Sequence, residues 1–130
     1  LILSGAQLLT FMKDDIIINE TDQDSSLYQI VAGICRVERT ENGKPVVLGY
    51  LGKTEMFGEV SFLHGTETTL TIIAEENNVE VYCIDRVHLT KIFETHPGIA
   101  GKFYKFLSWM LASRIRQRES EVLEEYEEKN

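Results

Sequence analysis

The sequence predicts a mainly β domain, an antiparallel sandwich or jelly roll with helices at its C-terminal end. Three observations carry this. From residue 7 to residue 84 the chain consists of short runs rich in β-branched and aromatic residues, separated by Gly, Asn, Asp and Thr clusters. No helices of crossover length intervene between the runs, as a parallel sheet would require. After Ile84 the apolar period changes to three and four residues, which is helical.

The strand runs are 7–12, 16–19, 27–32, 34–40, 46–51, 70–74 and 79–84. Between the fourth and fifth, Glu41-Asn42-Gly43-Lys44 places Asn-Gly where a tight hairpin needs positive φ at both central residues. In Met56-Phe57-Gly58-Glu59-Val60-Ser61-Phe62-Leu63 a glycine interrupts an apolar run and a carboxylate follows at once, which suits a strand turning into one helical turn. Asp85 is placed to cap a helix over 86–94, whose apolar face is Val87, Leu89, Ile92 and Phe93. Thr95-His96-Pro97 ends it, because the residue before a proline leaves helical geometry and proline suits a first helical position. A long helix follows over 97–118, with Ile99, Phe103, Phe106, Leu107, Met110, Leu111 and Ile115 as its stripe. Among the aromatics Phe103, Tyr104, Phe106 and Trp109, periodicity assigns most to the core. Residues 119–130 continue the helix as an acidic segment. It reads as a solvated face, as the start of a coiled coil through Leu111, Ile115, Val122 and Tyr126, or as a linker helix to a neighbouring domain.

At 130 residues there is room for one hydrophobic core and no second domain of ordinary size. The formal charge is −8, but residues 119–130 hold six Glu and one Lys, a local −5, so the other 118 residues carry −3. That balance disfavours nucleic acid, which needs a basic stripe, and an anionic membrane surface. The longest apolar stretch, 103–112, is broken by Lys105 and is too short to span a bilayer, so no membrane insertion is expected. Cys35 and Cys83 lie inside apolar runs and read as free thiols in a reducing, cytoplasmic compartment. The start at Leu1 reads as a piece cut from a longer protein. His64, His88 and His96 lack ligand spacing, so no metal is expected, and no nucleophile triad or carboxylate pair suggests an enzyme.

Gly58 lets a backbone approach closely, and the amides opening the following turn suit an anion; a purely structural strand-to-helix corner has the same composition. Phe57-Gly58-Glu59, the spacing on to Thr69-Leu70-Thr71-Ile72-Ile73-Ala74, the upstream Leu27-Tyr28-Gln29-Ile30-Val31-Ala32-Gly33, and a helix after Val81-Tyr82-Cys83-Ile84-Asp85 together resemble the cyclic-nucleotide-binding domain. The resemblance covers residues 7–118 and implies an eight-stranded β-roll flanked by helices. It implies a phosphate-binding cassette and a C-terminal helix that closes over the base of cyclic GMP or cyclic AMP. Carried over by position, Phe57, Gly58, Glu59, Val60, Ser61, Thr68 and Thr69 form the ligand site. Glu59 would accept the ribose 2′-hydroxyl, the Gly58 and Ser61 amides would line the ribose and phosphate, and Thr69 holds a place where cyclic-GMP-selective members carry a hydroxyl.

The departures bear on affinity. Thr68 stands where the family has an arginine that pairs with the cyclic phosphate. Losing one partner of a buried charge pair costs about 2–5 kcal/mol, or roughly 30- to several-thousand-fold in affinity. Glu67, if it pointed inward, would repel the phosphate further, whereas Lys44 or Lys53 brought near by folding would substitute for the arginine. Asp14, Thr21, Asp24 and Thr54 replace loop glycines while Gly33 and Gly52 keep the pattern; a β-branched residue resists positive φ, so the Thr21 and Thr54 turns are expected to be built differently. The reading is a non-catalytic regulatory domain, 1–118, with the segment 119–130 behind it. It senses cyclic GMP or cyclic AMP weakly and relays through its C-terminal helix to an effector domain of the same chain. The rival reading is a β-roll that binds no nucleotide and serves in assembly, with helix-mediated self-association as one form of it.

Overall fold

The computed structural model describes residues 6–23, 26–65 and 67–129. Among these the order is β1 (Gln7–Phe11), β2 (Ile16–Ile18), β3 (Leu27–Ala32), β4 (Cys35–Glu41), β5 (Lys44–Leu51), β6 (Met56–Phe57), α1 (Glu59–His64), β7 (Thr71–Ala74), β8 (Val79–Ile84), α2 (Arg86–Thr95) and α3 (Pro97–Lys129). The eight strands form two four-stranded sheets, β1-β8-β3-β6 and β2-β7-β4-β5, with every pairing antiparallel. This is the predicted β-roll.

The core explains the pairing. Alternation along β8 buries Val79 and Val81, and Ile30, Tyr28 and Phe57 from the same sheet join them. Ile18, Cys35, Ile72 and Ala74 come from the other sheet. β7 is buried at all four positions, as a central strand covered on both faces must be. The hairpin forms as Asn-Gly predicts: Asn42 has φ 52° and Gly43 φ 77°, and β4 pairs with β5 from Cys35↔Leu51 to Glu41↔Lys44. A half-buried Arg36 ties β4 to the turn after β7 by bonding Glu38 (2.6 Å) and Glu75, and these hydrogen bonds raise its pKa further above its ordinary value.

Two expectations are corrected. Asp14, Thr21 and Thr54 all adopt a left-handed backbone, with φ 71°, 68° and 74°. Tertiary hydrogen bonds hold the two threonines there against β-branched sterics, the Thr21 amide donating to Thr68 and the Thr54 amide to Ile30, each at 2.8 Å; Asp14, whose amide donates to Ala74 (2.8 Å), takes positive φ as expected of Asp. Asp24 lies outside the described residues. The second correction concerns the aromatics, of which only Phe103 is buried; Tyr104, Phe106 and Trp109 are exposed. A helical period says which residues share a face, not whether anything covers that face.

The chain divides into two compact units, Leu1–Thr90 and Lys91–Asn130. The first holds the sheets, the cassette and the start of α2, where the Asp85 carboxylate accepts the His88 amide (2.8 Å) as an N-cap. In the second, the helix breaks at His96 as Pro97 demands, with the His96 amide still bonded back to Ile92 (2.8 Å). Phe93 stacks obliquely on Phe103 and Tyr104 (5.3 and 5.5 Å between ring centres), and α3 buries Phe103, Leu107 and Met110. From residue 115 to residue 128 every side chain is exposed, on one helix that runs through residue 118 without a break. No helix of the described residues is long and apolar enough to cross a membrane.

Candidate functional site

The predicted cassette is a strand, a left-handed glycine and a helix of six residues. Tyr28 and Phe57 are directly paired across β3 and β6, and their rings stack in parallel at 5.0 Å, fixing the strand that delivers Gly58. Gly58 adopts φ 85°, ψ 2°. A Cβ there would stand 2.7 Å from the Ser26 carbonyl oxygen, so the protein's own backbone already requires glycine. The Phe62 amide donates to the Gly58 carbonyl (3.0 Å), and the helix ends where the Gly65 amide returns to Ser61 (2.7 Å) with Gly65 left-handed at φ 67°.

Burial on this short helix runs against polarity. Glu59 and Ser61 are buried beside Phe62, whereas Val60 and Leu63 are exposed. A helix that buries a carboxylate and presents valine to solvent is unusual for a purely structural corner, since buried carboxylates require compensating partners and exposed valine gains nothing. Among the described residues, no buried side-chain nitrogen or oxygen lacks a hydrogen-bond partner, and no cluster of His, Cys, Asp and Glu could hold a metal.

Thr68 is buried, and its polar atoms are directed at the turn after β2. Its hydroxyl donates to the Asn19 carbonyl (2.5 Å) and accepts from the Asp22 amide (3.0 Å). Its backbone closes the same joint, with the Thr68 amide on the Asp22 carbonyl (3.0 Å) and the Thr21 amide on the Thr68 carbonyl (2.8 Å). Thr71 reinforces it by accepting the Glu20 amide (3.1 Å), and Glu20 in turn accepts from the Thr40 amide (2.6 Å) on β4. Thr68 is thus a neutral fastening. Glu67 is exposed and accepts from Gln23 Nε2 (2.9 Å), and Thr69 is exposed. Lys44 lies opposite Glu41 at the hairpin end, and Lys53 sits exposed in the turn before β6.

The structure adds residues that sequence reasoning missed. Asn19, Asp22 and Ser26 contribute backbone atoms, and the Asp22 carboxylate also closes the turn by accepting the Asn19 amide (2.9 Å). Arg86 is the other: a Cβ at Gly65 would come within 2.6 Å of its guanidinium, so the end of the cassette helix and the first residue of α2 touch. Its adjacency to the capping Asp85 was the available signal.

Comparison with known proteins agrees with this geometry. The pattern of the Cyclic nucleotide-binding domain matches residues 8–96. Cyclic GMP-binding protein C of Dictyostelium discoideum is 34% identical over 125 residues, covering 91% of this chain and 5% of that protein. The human cGMP-dependent protein kinase 2 is 30% identical over 109 residues, covering 82% of this chain and 14% of the kinase. The chain therefore spans a small fraction of these two relatives. The Thermus thermophilus catabolite activator protein superposes with a TM-score of 0.73 at 28% identity, over 92% of this chain and 54% of that one. A cyclic nucleotide-binding domain from Methylobacillus flagellatus gives a TM-score of 0.82 over 88% of this chain and 64% of its own; at 21% identity that is a likeness of fold. With its match spanning both sheets, the cassette and α2, the chain belongs to the cyclic nucleotide-binding domain family.

Proposed function

We propose that this chain is a non-catalytic regulatory module that binds cyclic GMP, and cyclic AMP less well, with low affinity. The single observation that carries the low affinity is Thr68: the residue at the phosphate-pairing position is short, neutral and committed to Asn19 and Asp22. Phe57, Gly58, Glu59, Val60 and Ser61 hold the ribose and phosphate in this reading, with Thr69 facing the base. The cyclic-GMP preference is supported by the exposed Thr69 hydroxyl and by relatives named as cyclic GMP-binding proteins and a cyclic GMP-dependent kinase. Residues 1–118 form the sensing domain in this proposal, and 119–130 carry its state toward an effector in the same protein. A ligand shifts that state only by its difference in affinity for the two helix positions. Free thiols at Cys35 and Cys83 suit a cytoplasmic setting.

The test is an amide-resonance titration with each nucleotide up to millimolar. Shifts at Gly58, Ser61 and Thr69 with cyclic GMP, weaker with cyclic AMP and lost for cyclic GMP in Thr69→Ala, are the expected result. No shift at those amides with either nucleotide supports the second reading, a β-roll used for assembly alone, which the closed Thr68 joint favours.

A further inference from the structure

Helix α3 carries its charge in two blocks. Residues 102–118 contain Lys102, Lys105, Arg114, Arg116 and Arg118 and no acid, whereas residues 119–128 contain six glutamates and no base. Along the same stretch Ile115, Val122 and Tyr126 stand 61%, 53% and 66% exposed, at spacings of seven and four that place them on one side of the helix, with half-buried Leu111 one turn earlier. An exposed helix of this length is only marginally stable unless its apolar stripe is covered.

We propose that α3 pairs with α3 of a second copy of this chain in antiparallel orientation. Charge complementarity selects the occupant and the direction. A twofold axis near residue 120 sets Arg114 of one copy level with Tyr126 and beside Glu125 of the other, Arg118 level with Val122 and beside Glu121, and Ile115 level with Glu125 and Tyr126, all on or flanking the apolar stripe. Each basic block then lies on an acidic block, twice over, as an isologous contact requires. Parallel pairing in register would set glutamates 119–128 against their own copies, and like charges at facing positions are destabilising. None of these residues belongs to the cassette, so the pairing is testable without nucleotide.

Sedimentation velocity of the whole 130-residue chain over micromolar to millimolar concentration tests it. The expected result is a reversible dimer that weakens at least about tenfold in about 0.5 M salt, where the Debye length is a few ångströms. Arg114→Glu/Arg116→Glu/Arg118→Glu is expected to be monomeric with unchanged circular dichroism of the β-roll. Adding Glu124→Lys, Glu125→Lys, Glu127→Lys and Glu128→Lys to that variant is expected to restore self-association without mixed dimers with the unaltered chain. A monomer at every concentration, a dimer indifferent to the arginine reversals, or a charge-exchanged variant that pairs with the unaltered chain would each overturn the proposal.

Discussion

The Thr68 hydroxyl donates to the carbonyl oxygen of Asn19 at 2.5 Å, joining residues 49 positions apart. With the Asp22 amide on the same hydroxyl, it locks the turn between β2 and β3 onto the segment leading into β7. Thr68 is a structural joint. In the proposed reading that one residue bears on both stability and ligand affinity, and the two effects are separable by mutation.

Replacing Thr68 by Val keeps the shape and removes the hydroxyl. The Asn19 carbonyl and Asp22 amide lose a buried partner, which costs about 1–3 kcal/mol. Chemical denaturation is expected to show that loss with an unchanged slope, while Thr69→Val, altering an exposed neighbour, stays within about 0.5 kcal/mol.

Thr21 and Thr54 hold a left-handed backbone that a β-branched residue adopts only under constraint. Thr21→Gly and Thr54→Gly are each expected to stabilise the fold by about 1 kcal/mol, net of the added entropy of glycine in the unfolded chain. Thermal unfolding measures it; a lower midpoint in both variants would contradict the strain.

Gly58 combines φ 85° with the Ser26 carbonyl 2.7 Å from any Cβ. Gly58→Ala is expected to cost about 2–4 kcal/mol. Gly101 lies within α3 with open space around it, so Gly101→Ala is expected to stabilise by about 0.5–1 kcal/mol. Equal effects at the two sites would refute the close-approach argument.

Burial pushes the Cys35 thiol from its ordinary 9.0 up to about 11. Below about pH 9 the thiol is protonated in both states and stability is unaffected. Above it, the unfolded chain releases a proton that the folded chain retains, so stability falls as pH rises toward about 11, by about 2–3 kcal/mol in all. Urea unfolding across that window is expected to show a slope that Cys35→Ala reduces.

What could be read from the sequence was local chemistry. Asn42-Gly43 specifies its hairpin within four residues, Asp85 caps the helix it precedes, and Gly58 marks a corner by its own stereochemistry. The resemblance also singled out Thr68 as standing where an arginine is expected. It did not show what Thr68 does instead, because its partners are backbone atoms 46 and 49 residues away. Thr21 and Thr54 went against propensity because bonds to Thr68 and Ile30 override it. Trp109 and Phe106 fit a helical stripe equally well buried or bare; they stack on each other at 6.4 Å, exposed.

Calorimetric titration of cyclic GMP into the native chain and into Thr68→Arg tests the central claim most directly. The backbone bonds of residue 68 to Thr21 and Asp22 do not depend on its side chain, so the variant keeps half of the joint while regaining the charge. The account predicts weak binding by the native chain and at least about 30-fold tighter binding by the variant. Submicromolar binding by the native chain, or no gain in a folded Thr68→Arg, would contradict it.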